Sequence, residues 1–269
     1  MQFNTPIFSD RAINSIEKKY DQFENTFICR WLYDIYLGEY ETTLAYPILR
    51  NNFEQNYYQN IDLTDENKKL IGQYFDRMIH DETVHSQLLL DLLKNNFNKD
   101  VLPHDLITIK KQTLDRLRDY SLTQLLTRYY VGECCLWTGF YLLYKNCSDN
   151  QTAKIFHRLV VDESHHNNNI FKIYQKLFNS VELDNNSYIN YVTELRYFGL
   201  GFVKNFFKLN DETSKNSRWV LNLIYNHDWQ SQFNLIFLKK TFKLYSLFNP
   251  ESDLDSYCRI INKDVLTMN

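Results

Sequence analysis

Asp-Glu-x-x-His occurs twice in this chain, in "IHDETVHSQ" at 79–87 and in "VVDESHHNN" at 160–168, although the sequence holds only 7 histidines. Both copies lie on a helical rhythm of apolar residues. Stepping by three and four, the first face reads Ile71, Phe75, Met78, Glu82, His85, Leu89, Leu92. The second reads Phe156, Leu159, Glu163, His166, Ile170, Ile173. Such positions share one side of a helix, so a Glu and a His interrupt a stripe that otherwise has to be buried. An ionised carboxylate buried without a partner costs several kcal/mol. Neither stripe carries a Lys or Arg, and a metal cation would supply the missing charge. The fold is thereby constrained to bring two helix faces to one centre. Asp162 and His165 share their own face with Arg158, Asn168 and Asn169, which reads as solvent-facing and leaves Glu163 and His166 inward.

Composition agrees with a helical chain. With 6 Gly and 4 Pro in 269 residues, little interrupts long helices, and no segment alternates over strand length. The fold class is all-α. Helices are expected over about 9–24 (Ser9 as N-cap), 25–51 with Pro47 bending its end, 63–96 opened by "DLTDEN", 105–117, 120–146 and 150–179. Others follow over about 187–208 and 214–248, before a weakly patterned tail. One domain over 1–269 is expected, its core helices over about 25–179 and accessory C-terminal helices over about 187–248. The stripe "RWVLNLIYNHDWQSQFNLIFLKKTF" is expected to cover the bundle or to form a homodimer face.

A formal charge of -3 with scattered Lys and Arg argues against a nucleic-acid partner. The 5 cysteines are odd in number and include no C-x-x-C, which fits neither a disulfide framework nor a zinc ribbon. The opening lacks a signal-like apolar core, and no apolar run approaches bilayer length. A soluble cytoplasmic protein with no membrane partner is expected.

Two E-x-x-H helices leave a two-metal site short of ligands, and a bundle would supply one further Glu from each of two more helices. "LTRYYVGECCLW" offers Glu133; "LYDIYLGEYETTLAY" offers Glu39 and Glu41, and periodicity does not choose between these two. Gly-Glu precedes Asp-Glu-x-x-His in each half, as Gly38-Glu39 and Gly132-Glu133, which favours Glu39 with Glu41 in reserve. A glycine beside each ligand would let backbone approach a crowded centre. The metal-binding and catalytic set is thus Glu39, Glu82, His85, Glu133, Glu163 and His166, suited to two Fe(II) or Mn(II) ions. Asp81 and Asp162 are expected to orient the His of the opposite helix.

On these residues the chain resembles the ferritin-like di-iron carboxylate proteins, which share E…E-x-x-H…E…E-x-x-H. The doubled E…D-E-x-x-H form looks most like the p-aminobenzoate N-oxygenase group, although Leu159 stands where that group has an additional His ligand. The resemblance implies a four-helix core with extra N- and C-terminal helices and a pair of Fe ions, or Mn/Fe. It implies O2 as co-substrate, a small organic substrate such as an aromatic amine, and electrons from a reductase or ferredoxin. Tyr36, Tyr129, Tyr130 and Trp137 are the aromatics placed to line a substrate pocket. Two other readings compete: a ferritin- or rubrerythrin-like iron or peroxide handler, and a non-catalytic helical interaction protein.

Overall fold

The computed structural model describes residues 22–58, 61, 63–146, 150–178, 181–196 and 228–267, and every regular element among them is an α-helix. In chain order these are α1 (Gln22–Glu54), α2 (Asp65–Phe97), α3 (Pro103–Asp119), α4 (Leu122–Asn146), α5 (Asn150–Leu177), α6 (185–196), α7 (Asp228–Phe248) and α8 (Leu254–Thr267). Ser9 and residues 9–21 of the first expected helix lie outside the described residues. So do 197–208, and 214–227 of the long C-terminal stripe.

Local chemistry sets the boundaries. Thr64 caps α2 by accepting from the Asn67 N–H, and Asp65 and Glu66 place negative charge at the helix's positive end. Asn98 ends it in the left-handed conformation at φ 49°, returning its N–H to the Leu93 and Lys94 carbonyls. Pro103 opens α3 at the position where a missing N–H is harmless. The helix expected to run past Pro47 to about 51 does so and reaches Glu54. Burial of Leu49 and Phe53 beyond the proline accounts for that continuation.

The long helices form two antiparallel pairs. In the first, Arg50 of α1 pairs with Asp76 of α2, and Thr42 with Glu82, so residue numbers rise along one helix as they fall along the other. In the second, Thr127 faces Tyr174, Cys134 faces Asn167 and Tyr144 faces His157. The pairs meet through α2 and α5, where His85 faces Asp162 and His166 faces Asp81. This last pairing is also antiparallel, so α1 and α5 run one way and α2 and α4 the other. Between α2 and α4 the chain must return along the length of the molecule. The 17-residue α3 does this, spanning about 25 Å alongside α1. α7 packs on α4, and α8 on α7.

Buried tyrosines tie the outer helices to the core by satisfying their hydroxyls on the backbone. Tyr130 of α4 donates to the Lys240 carbonyl at 3.1 Å, and Tyr188 of α6 to the Thr241 carbonyl at 2.5 Å. Tyr257 of α8 donates to the Thr241 hydroxyl at 2.9 Å. α8 lies in the tail that showed no clear pattern. Its signals are an Asp253 cap, accepting from the Ser256 N–H at 2.6 Å, and the buried pair Tyr257 and Ile261.

Candidate metal centre

Six side chains from four helices converge in the interior: Glu39 from α1, Glu82 and His85 from α2, Glu133 from α4, Glu163 and His166 from α5. None is more than 2 % exposed. Single ligand atoms of Glu82, Glu133, Glu163 and His166 lie within 4.8 Å of one another, as do those of Glu39, His85 and Glu163. Glu163 thus belongs to both groups.

The histidines have distinct inner and outer nitrogens. His85 Nε2 lies 3.3 Å from Asp162 Oδ2, and His166 Nε2 lies 3.4 Å from Asp81 Oδ2. Each aspartate therefore meets the histidine of the opposite helix. An ionised carboxylate only accepts, so each Nε2 carries the proton and donates. The Nδ1 atoms turn inward. His85 Nδ1 stands 3.4 Å from Glu163 and 3.7 Å from Glu39; His166 Nδ1 stands 2.9 Å from Glu82 and 3.2 Å from Glu163.

Hydrogen bonding leaves a gap in the same place. Both carboxylate oxygens of Glu39, one each of Glu82, Glu133 and Glu163, and Nδ1 of His85 are buried without a hydrogen-bond partner. Buried polar atoms rarely stay unmet, and six such atoms around one centre fit a cation bound to oxygen and nitrogen donors.

Without a cation, protons have to balance the charge. Burial raises the pKa of Glu82 well above the ordinary carboxylate value, and Glu39 and Glu133 add to the shift. Burial, with Glu133 beside it, lifts Glu163 to about 7. Burial acts the same way on Glu133, but hydrogen bonds from Glu163, His166 and Tyr46 outweigh it and hold that group at about 2. Burial opposes charge on both histidines. The surrounding carboxylates overcome it, chiefly Asp162, Glu163 and Glu39 for His85 and Glu82 and Glu163 for His166, so both pKa values stand well above the ordinary one.

The geometry separates Glu39 from Glu41. Glu41 turns away into an ion pair with Arg116 at 2.7 Å and Arg128 at 3.4 Å, whereas Glu39 faces the cluster. His165 stays outside, its ring nitrogen accepting from Arg77 at 2.9 Å. The reason given for Gly38 and Gly132 is corrected: a Cβ at either position would meet nothing within 4 Å among the described residues. No close backbone approach needs a glycine there.

The four aromatics divide. Tyr36 stacks on Tyr40 at 6.4 Å, and Tyr129 packs edge-on against Tyr46 at 5.2 Å within the core. Tyr130 and Trp137 line a separate cavity between α4, α5 and α7.

Three kinds of supporting residue escaped the sequence reading. Tyr46 donates to Glu133 Oε1 at 2.5 Å, and Thr42 to Glu82 Oε2 at 2.8 Å, each fixing one carboxylate oxygen and leaving the other toward the centre. Asn167 donates to the Glu163 carbonyl at 2.9 Å and accepts from the Cys134 thiol. Arg77 and Arg158 stand one turn before the aspartates, at 3.9 Å from Asp81 and 3.1 Å from Asp162. The arginines did leave a signal, because the repeat is longer than its core: Arg-x-x-x-Asp-Glu-x-x-His occurs at 77–85 and at 158–166. Comparison of the chain with protein-family models, with curated proteins and with solved structures finds no match.

Proposed function

We propose that this chain is a ferritin-like di-iron, or manganese–iron, oxidoreductase that uses O2 to oxidise a small organic substrate. One observation carries the reading: four carboxylates and two imidazoles from four helices turn unsatisfied buried atoms to a common centre. The opposed helix pairs joined by one crossover helix agree with the ferritin-like arrangement. Glu39, His85 and Glu163 would hold one ion, and Glu82, Glu133, Glu163 and His166 the other. When bound, the metal pair supplies the electrons and the Lewis acidity that O2 reduction needs.

The protein's own part is positional. Asp81 and Asp162 hold each Nε2–H and so present Nδ1 as the donor. Tyr46 and Thr42 fix one oxygen of Glu133 and one of Glu82. The apolar stripes exclude bulk water and keep the carboxylates in a low-dielectric setting that strengthens cation binding. In the net reaction one oxygen atom of O2 enters the substrate, and the other leaves as water with two protons and two electrons. Those electrons come from an external reductase or ferredoxin.

Oxygen uptake tests the reading. Protein loaded anaerobically with Fe(II) is expected to consume O2 in repeated turnovers when a reductant and an arylamine or similar substrate are supplied, and to form an oxygenated product. Uptake that ends after one round with deposition of ferric mineral and no organic product would favour iron storage instead.

A further inference from the structure

Between α4, α5 and α7 lies a half-open cavity of about 290 Å³, with α7 as one of its walls. Its volume is near the lower end of small-molecule sites, which run from about 300 to 1,000 Å³. Lys239, Lys240 and Lys243 of α7 reach it, and no Asp or Glu lines it. Two of these cations are held in place. Lys240 Nζ stands 3.5 Å from the centre of the Trp137 ring, and no carboxylate of the described residues pairs with it. Lys243 Nζ donates to Asn168 Oδ1 at 3.1 Å and lies 4.3 Å over Phe171. The Tyr130 hydroxyl fixes the register of α7 by bonding the Lys240 carbonyl. The opposite wall offers Ser164 and Asn167 as neutral polar groups, with Ile236 and the Trp137 and Tyr130 rings as apolar surface.

We infer that this cavity is a binding site for a small organic phosphate monoester. The two placed ammonium groups of Lys240 and Lys243, in a lining with no acid, call for more than one negative charge. Ammonium groups act as point donors, and a phosphate monoester, with up to two negative charges and three acceptor oxygens, can answer two of them at once where a carboxylate brings a single charge. The phosphate would take the lysine side and the organic part the apolar wall of Ile236 and Tyr130, since Lys240 covers one face of Trp137 and Tyr141 the other. The site needs no metal and does not depend on the oxidoreductase reading. Its position gives it a connection to that centre all the same, because Cys134 and Asn167 line it and Asn167 bonds the Glu163 carbonyl.

Calorimetric titration of metal-free protein with phenyl phosphate, benzoate and phenol tests the inference. Phenyl phosphate is expected to bind saturably at one site per chain, more tightly than benzoate, while phenol does not bind measurably. The K240Q/K243Q variant is expected to bind about a hundredfold more weakly, the loss of two charge-assisted contacts. Lys240→Arg keeps the charge and is expected to bind within about threefold of the parent, with unchanged circular dichroism for both variants. The inference is overturned if phenyl phosphate does not bind, if benzoate or phenol binds as tightly, or if folded K240Q/K243Q binds like the parent. Because the titration uses metal-free protein, such a failure would leave the metal centre standing, and failed metal loading would leave this site standing.

Discussion

Glu133 and Glu163 are chemically the same residue in one buried cluster, yet they settle at about 2 and about 7. The difference lies in their neighbours. Glu163, the His166 charge and the hydrogen bond donated by Tyr46 favour the ionised form of Glu133, while the charge on Glu133 discourages ionisation of Glu163. Tyr46→Phe removes the donor that fixes one Glu133 oxygen, and metal affinity is expected to fall about tenfold, read by competition with a chelator. Asp81→Ala and Asp162→Ala remove the acceptors of the Nε2–H groups and are expected to cost about 10–100-fold each by the same assay. The acid–base consequences follow from the directions. In the metal-free protein Glu82, Glu163, His85 and His166 all bind protons more tightly than in the unfolded chain. Each group's stabilisation is complete below its unfolded pKa and is lost between that value and the folded one, so the share of Glu163 is gone by about pH 7 while those of Glu82 and the two histidines keep falling above it. Glu133 has the opposite sign and matters only in acid. The metal-free protein is therefore expected to melt at steadily lower temperature from about pH 6 to about pH 9, and the gain on adding metal to grow over the same range. A metal-free melting temperature that rises over that range contradicts these assignments.

At the scale of elements, α2 and α5 carry the same device, Arg-x-x-x-Asp-Glu-x-x-His, and packing them antiparallel lets each aspartate reach the other's histidine. Much of this was legible in the sequence, because a Glu and a His in an apolar stripe violate ordinary burial and only a few arrangements relieve the conflict. Periodicity did not choose between Glu39 and Glu41, and only the repeated Gly-Glu favoured Glu39. Both had apolar neighbours on their faces, and the arginines that draw Glu41 aside come from α3 and α4, far away in sequence. The span of α1 through Pro47 was expected, and only its last turn to Glu54 was not, where burial of Phe53 extends the helix. The glycines beside the ligands showed a pattern whose steric explanation fails. Gly38→Ala and Gly132→Ala are accordingly expected to stabilise the fold by about 0.5–1 kcal/mol each in denaturant titration, with metal content unchanged. Thr241 is where α6, α7 and α8 meet. Thr241→Val leaves the Tyr257 hydroxyl unsatisfied in the core and is expected to cost about 1–3 kcal/mol.

Over the whole molecule, two tasks occupy different places. The interior between the helix pairs concentrates negative charge that only protons or cations can balance, while α7 forms one wall of a positively lined cavity that it shares with α4 and α5. No helix among the described residues is long and apolar enough to cross a membrane. The connection between the tasks is short, through Cys134, Asn167 and the backbone of Glu163. Burial lifts the Cys134 pKa to about 12, so this thiol is a packing and hydrogen-bonding group and not a reactive thiolate. The most direct measurement for the whole account is metal stoichiometry after anaerobic titration with Fe(II), by elemental analysis of the desalted protein. Uptake is expected to saturate at about two ions per chain for the parent and to fall below about one for Glu82→Ala and Glu163→Ala, with both variants still helical. Parent protein that retains no iron, or variants that retain as much as the parent, would contradict it.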